Sequence, residues 1–337
     1  MKKNILLAVF ALFTLVSCVD EEQFDMSPAG TMEALWKVMD EHYCFFDEKE
    51  KQLGVNWDEV HSRYGKQATA NISKYQLFEL MTSMIGELRD GHVNLSAAFD
   101  YGRNWSWKED YPTNFSDTLQ RIYLGTDYKI ASGLKYRILN DNTGYIYCSS
   151  FENDFGAGNL DEILLYLAPC NKLIIDVRNN GGGMITSAQT LAARFTNNEL
   201  LVGYMQHKTG KGHNDFSEPQ PQNLKPSKGI RWQKDVCVLT NRGVYSAANE
   251  FVKYMKAIAQ VAKDKHITII GDTTGGGAGM PFSSELPNGW GVRFSACPMF
   301  DRNGKTTEFG IDPDIKVNIT TEDLQKGIDT IIETARL

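Results

Sequence analysis

The sequence predicts an α/β protein in which a small N-terminal helical bundle precedes a β/α core, and three observations predict it. Between Thr31 and Thr82 the apolar residues recur at the spacing of an amphipathic helix. From Leu134 onward, short apolar runs of strand length alternate with helix-length patterns. Two of those runs lead into glycine clusters, Gly181 to Gly183 and Gly275 to Gly277, which are turn and loop signals.

Ahead of the bundle, Lys2 and Lys3 precede an apolar run from Ile5 to Val16 broken only by Thr14, too short for a permanent bilayer-spanning helix. This is the pattern of a signal peptide over 1–17. It ends in Leu15-Val16-Ser17-Cys18, which resembles a bacterial lipobox and makes Cys18 the expected lipid-attachment site. Several acyl chains on one Cys anchor stably, where one chain holds only marginally. Residues 18–30 read as a tether. Its Asp20-Glu21-Glu22 resembles the surface-export signal of lipoproteins in the Bacteroides group, and a solvated acidic stretch has the same composition. The expected location is the outer membrane of a Gram-negative cell envelope.

Three helices are expected within 31–96: one carrying Leu35, Trp36, Val38, Met39 and Tyr43, one carrying Trp57, Val60 and Tyr64, and one running from Tyr75 to Leu88. Asn56 and the stretch Asn71-Ile72-Ser73 lie where N-caps belong, and Gly54 and Gly65 punctuate the ends. Residues 97–133, aromatic and irregular, read as a linker with room for one hairpin. The core then spans 134–337. Strands are predicted at 136–139, 144–149, 173–177, 200–204, 236–240 and 267–270, with helices at 160–167, 185–195 and 247–261. A hairpin turns through Pro287-Asn288-Gly289, and a helix over 323–335 closes the chain.

The net charge of −7 and the lack of any basic run remove the electrostatic footprint of a nucleic-acid binder. Beyond Cys18 the chain has Cys44, Cys148, Cys170, Cys237 and Cys297, an odd and scattered set with no CxxC pair. Buried thiols are expected, in preference to a disulfide framework or a zinc site.

Four segments place reactive or glycine-rich groups at the ends of predicted elements. In Val238-Leu239-Thr240-Asn241-Arg242-Gly243-Val244-Tyr245-Ser246-Ala247, a buried strand turns into a helix that opens with Ser246. The helix dipole and free N–H groups there favour developing negative charge, and Ser is equally a preferred N-cap. In Leu173-Ile174-Ile175-Asp176-Val177-Arg178-Asn179-Asn180-Gly181-Gly182-Gly183, backbone N–H groups can converge on an oxyanion, or the glycines form a plain tight turn. The Lys-Ser/Thr of a phosphate loop is absent. The third segment is Gly86-Glu87-Leu88-Arg89-Asp90-Gly91-His92, in which a tight Asp-Gly turn holds His92 apart from the other histidines of the chain. The fourth is Gly271-Asp272-Thr273-Thr274-Gly275-Gly276-Gly277, followed later by Thr307-Glu308-Phe309-Gly310.

The order and wording of these segments, over about Thr31 to Ile315, resemble the C-terminal processing, or tail-specific, protease family of serine peptidases. The resemblance implies a crotonase/ClpP-like β/α superhelical core, peptide or protein substrates, and no metal or cofactor. Many members use a Lys as general base in the turn where this chain has Thr273. The tricorn protease branch instead uses a His from the turn before the core and a Glu near its end, which His92 and Glu308 match. The implied mechanism is acyl transfer. Ser246 attacks, His92 carries its proton, and Glu308 orients the site directly or through a neighbour. The oxyanion would be held by N–H groups of Gly182 or Gly183 and of Ala247. An unperturbed imidazole titrates near pH ~6.5 and can accept the Ser proton, whereas a Thr hydroxyl cannot. The PDZ domain of many relatives has no room between the Asp-Gly-His turn and the core. Two other readings stand beside this one: an inactive peptide- or ligand-binding lipoprotein on the same fold, and an acyl-CoA enzyme, which the export signal opposes.

Overall fold

The computed structural model describes residues 25–103, 109–262 and 266–337. The expected signal peptide and Cys18 lie outside the described residues. None of the described helices is long and apolar enough to cross a membrane.

Four helices, not three, open the described chain: α1 (Pro28–His42), α2 (Phe46–Leu53), α3 (Trp57–Gly65) and α4 (Lys74–Gly86). The extra one, α2, reads Phe-Asp-Glu-Lys-Glu-Lys-Gln-Leu, so charge hides its helical period. The expected caps form: Asn56 accepts from the Glu59 N–H, and Ser73 with Gln76 makes a capping box. The apolar faces of α1, α3 and α4 bury Leu35, Met39, Trp57, Val60, Phe78 and Met81 in a cluster that also contains Leu95, Val292 and Phe294. The bundle therefore shares its core with a sheet and is no independent layer.

That sheet is antiparallel, in the order β2 (Asp100–Gly102), β1 (Asn94–Ala97), β12 (Gly291–Asp301), β7 (Leu200–Met205), β8 (Gln220–Leu224), with β11 (Gly279–Glu285) also on β12. The boundary expected at 96/97 falls inside β1, and the expected hairpin is β11–β12. The stretch read as a linker contains β2, a helix α5 (Asp117–Leu124) and β3 (Lys129–Ala131).

The second sheet runs β13 (Ile315–Lys316), β10 (Ile267–Gly271), β9 (Asp235–Thr240), β6 (Lys172–Asp176), β5 (Thr143–Tyr147), β4 (Leu134–Ile138), β3. It is parallel from β13 to β5. Its inner strands β10, β9, β6 and β5 are largely apolar on both faces because both are covered, while the edge strand β13 is exposed. Leu173, Ile175, Val236, Val238 and Ile269 pack beneath α6 (Ala157–Leu167), α7 (Ile185–Ala192) and α8 (Ala247–Ala259). Ile174, Leu239 and Ile270 face Ile331, Ile332 and Ala335 of α10 (Thr330–Arg336), which follows the short α9 (Thr321–Gln325). The single closing helix expected is thus two, broken at Gly327 with φ 73°.

Arg178 locks this end of the sheet. Its fully buried guanidinium bonds Asp176 at 2.7 Å and 2.9 Å, and Asp329, the N-cap of α10, at 2.9 Å and 3.1 Å. At the carboxyl ends of β6, β9 and β10 three loops meet, 177–183, 241–246 and 272–277, the location where open α/β sheets hold their ligands.

Candidate active site

Ser246 stands between β9 and α8 with φ 55° and ψ −124°, a conformation that costs a non-glycine residue about 1–3 kcal/mol and persists only where the surroundings over-determine it. They do so here. Asn241 Oδ1 accepts from the N–H groups of Asn179 (2.9 Å) and Gly243 (3.1 Å). The Tyr245 N–H donates to Asn180 O at 3.0 Å, and the Ser246 N–H to Gly276 O at 2.9 Å. The hydroxyl is thereby held at the positive end of α8, beside the N–H of Ala247.

The glycines before α7 are needed for close approach. A Cβ on Gly182 would lie 2.8 Å from Ser246 Cβ and 3.0 Å from Ala247 N, and Gly182 has φ 105°. A Cβ on Gly183 (φ 135°) would lie 2.3 Å from the Phe151 carbonyl carbon. The structure corrects one expectation. The Gly182 N–H already donates to Asn180 Oδ1 at 2.9 Å, which occupies it and leaves Gly183 and Ala247 as the candidate oxyanion donors. Gly182→Ala is expected to lower kcat by about 100-fold or more, since a misplacement of about 1 Å at a reacting group costs that much. Unfolding by urea should show only a loss of about 1–3 kcal/mol. A variant with normal kcat would dismiss the close-packing account.

His92, 3% exposed, follows the Asp90-Gly91 turn and enters the cleft from the antiparallel sheet. Its Nε2 is 2.9 Å from Ser246 Oγ. The two residues come from positions 154 apart in the chain and meet because Tyr245 ties the loops together: its hydroxyl accepts from the Gly91 N–H at 2.9 Å and donates to Asp90 Oδ1 at 2.9 Å. Asp90 also accepts from Tyr43 (3.1 Å), from Ser295 Oγ (2.8 Å) and from the His92 N–H (2.8 Å). Burial pushes the Asp90 pKa up, but the charge of Lys49, that of His92 whenever its ring is protonated, and these hydrogen bonds outweigh it and hold the carboxyl below its usual value.

Glu308 is buried behind Tyr245, in a smaller cavity that also includes Gly275 and Phe309. Its Oε1 accepts from Lys49 Nζ at 2.7 Å and its Oε2 from the Ala278 N–H at 3.0 Å. Burial raises its pKa, Lys49 lowers it and Asp90 raises it again, leaving it pushed up to about 7. The carboxylate that hydrogen-bonds the His92 turn is therefore Asp90, and Glu308 sits one layer further back. Thr273 donates to Asp312 Oδ1 at 2.8 Å and has no basic function. Glu250 pairs with Lys253 at 2.6 Å within α8, so it supplies no acid to the cleft.

The cleft above Ser246 has a volume of ≈ 690 Å³ and an apolar wall that includes Met280, Pro281 and Met299. Such a space admits several residues of an extended peptide. All five described cysteines are free; Cys44, Cys148 and Cys170 are buried, and Cys237 and Cys297 partly so.

Sequence reasoning named Ser246, His92, Gly183 and Ala247, all of which meet here, but passed over Asp90, Ser295 and Lys49 as functional groups. Lys49 carried a usable signal: it lies three and four residues beyond Phe46 and Phe45, on the apolar face of α2. Ser295 carried none, since a Ser in an alternating strand is unremarked.

The model of peptidase family S41 matches residues 142–317, more than half of the chain, and the model of the tricorn protease C1 domain matches residues 26–86. No curated protein matches. Among solved structures, a candidate peptidase from Parabacteroides merdae ATCC 43184 is 50% identical, with 93% of this chain and 96% of that one covered and a TM-score of 0.86. Mature CPAF in complex with lactacystin is 12% identical over 92% of this chain and 97% of its own, with a TM-score of 0.70. The photosystem II D1 C-terminal processing protease is 14% identical over 90% and 97%, with a TM-score of 0.52. The last two show the shared fold. With the family model and the 50% identical relative in agreement, the chain belongs to peptidase family S41 and is a hydrolase of peptide bonds.

Proposed function

We propose that this peptidase is a serine endopeptidase that cleaves exported or extracellular proteins and peptides through an acyl-enzyme. The observation that carries the reading is the 2.9 Å contact between Ser246 Oγ and His92 Nε2 at the floor of the cleft. Ser246 Oγ attacks the scissile carbonyl carbon as its proton passes to His92 Nε2. The carbonyl oxygen, now negative, lies toward the N–H groups of Gly183 and Ala247 at the head of α8. His92 returns the proton to the leaving amine as the C–N bond breaks, and a water molecule, deprotonated by His92, releases the acyl group. Losing one such oxyanion donor costs about 3–4 kcal/mol of transition-state stabilisation in comparable enzymes.

The test is a fluorophosphonate probe applied to the purified protein, with casein digestion in parallel. Labelling confined to Ser246, with casein cleaved, is the expected result. A folded protein that neither labels nor cleaves would favour the ligand-binding reading.

The protein is placed on the outer membrane through lipidated Cys18, as Leu15-Val16-Ser17-Cys18 and the preceding apolar run support. Cys18→Ala is expected to move the protein from the detergent-extracted membrane fraction. Mass spectrometry of the wild-type N-terminus should find a diacylglyceryl-modified Cys18. An unmodified terminus would refute the anchor.

A further inference from the structure

We infer that Ser295 is a positioning residue for His92, relaying the charge of Asp90 to His92 Nδ1 and thereby fixing the imidazole tautomer. The inference rests on the serine-peptidase reading for its catalytic meaning, though not for its geometry. Ser295 lies in β12 with its side chain fully buried, in a place where an apolar residue would pack without needing partners. Its two partners both belong to the His92 turn: Oγ donates to Asp90 Oδ2 at 2.8 Å and lies 3.4 Å from His92 Nδ1. Room for it is made across the strand pair, because a Cβ on Gly279 would come within 2.3 Å of Ser295 Cβ and 2.5 Å of its Oγ.

Proton accounting sets the direction of each bond. A hydroxyl has one proton to donate and two lone pairs to accept with. Asp90 brings no proton: it is an acceptor toward Tyr43, Tyr245 and the His92 N–H as well as toward Ser295. Both tyrosines keep their own protons, since burial first and the Asp90 charge next push their pKa values well up. The single Ser295 proton therefore goes to Asp90, and the Ser295 lone pair faces His92. Only an Nδ1–H satisfies that lone pair. With the ring proton on Nδ1, Nε2 presents its lone pair to the Ser246 hydroxyl 2.9 Å away, which is the form a general base requires. Asp90 itself stays at 4.0 Å from Nδ1, too far for a direct bond, so the hydroxyl completes the link.

The relay predicts effects on turnover and on the ring that a packing role would not produce. With ¹⁵N-histidine-labelled protein, and His92 assigned by comparison with His92→Gln, long-range ¹H–¹⁵N spectra report the tautomer without any substrate. The wild type should show Nδ1–H. Ser295→Ala should give a tautomer mixture and a kcat lower by about 10- to 100-fold, with KM within about twofold. Asp90→Asn should invert the chain, since an amide N–H offered to Ser295 turns its proton toward Nδ1 and leaves the ring proton on Nε2. An Nε2–H tautomer in the wild type, or a Ser295→Ala variant that keeps both its tautomer and its kcat, would overturn the relay. If the wild type is inert toward peptides yet loses Nδ1–H in Ser295→Ala, the peptidase mechanism fails while the relay stands.

Discussion

Ser246→Ala is expected to lower kcat for peptide hydrolysis by on the order of 10⁶-fold while leaving KM and thermal stability close to those of the wild type. The hydroxyl's contact at His92 Nε2 is 2.9 Å, at the floor of an open cleft, so a water molecule can enter and take the place of the lost partner. Alanine also inherits the same φ of 55°, so the backbone strain is unchanged. His92→Ala alone should cost a comparable factor, because an unactivated Ser hydroxyl is a poor nucleophile at neutral pH. The double variant should be no slower than the worse single one, since the two residues act as a unit. Stopped-time hydrolysis of a fluorogenic peptide, with labelling by the phosphonate probe, measures all three. A His92→Ala variant with near wild-type kcat would take His92 out of the proton path and reopen the question of the base.

Lys49→Met should be the most damaging change to stability among the site's supporting residues. Lys49 reaches from α2 into the core, 2.7 Å from Glu308 Oε1, with both side chains 1% exposed. Removing one partner of a buried ion pair leaves the other charge uncompensated and costs about 3–5 kcal/mol. The loss should depend on pH in a definite sense. Glu308 has its pKa pushed up to about 7 from an ordinary 4.5, burial being the largest cause, so the folded state binds a proton more tightly than the unfolded chain does. Stability from this group is complete below about pH 4.5 and falls as pH rises through about 7. Taking Lys49 away removes the main force holding that pKa down, which carries the window to higher pH. Urea unfolding should therefore show a larger deficit for Lys49→Met near pH 8 than near pH 5.5, where Glu308 can take up a proton (about neutral in charge). A deficit equal at both pH values would assign the effect to lost packing of the Lys stem. The same substitution withdraws a cation that helps keep Asp90 ionised, so kcat should fall together with stability.

This arrangement gives the N-terminal helices a part in the chemistry. Tyr43 follows α1 and Lys49 belongs to α2, and both act on the carboxylates behind His92. The bundle is an integral wall of the site, which agrees with its sharing a core with β1 and β12.

Most of the regular structure was legible because it rests on local periodicity. Strands β5, β6, β9 and β10 of the parallel sheet were found within about two residues, since runs such as Leu173 to Val177 are buried on both faces and so apolar throughout, whereas the two-residue, exposed edge strand β13 was not predicted. Ser246, the glycines before α7 and the Asp90-Gly91-His92 turn were legible as well, since each lies where a strand or helix ends and the chain must bend. The helix α2 was missed because five of its eight residues are charged, from Asp47 to Lys51. Between Ala97 and Gly133, α5 went unread because it is only eight residues long, buries just Leu119 and Leu124 of its apolar positions, and leaves Ile122 exposed, while the surrounding aromatics mask the period.

What the sequence by itself determined, then, was the order of the main strands and helices of the core, the family resemblance and the candidate nucleophile and base, Ser246 and His92. The tertiary structure alone decided which groups stand behind them. Asp90 is held beside His92 because Tyr43, Tyr245 and Ser295 converge on it from three distant segments. Glu308, matched by position, is drawn instead to Lys49, and the Gly182 N–H is taken by Asn180. A hydrogen bond depends on distances of a few tenths of an ångström between residues far apart in the chain, whereas a helix or strand depends on neighbours within a few positions. The first kind of information exists only after the chain has folded.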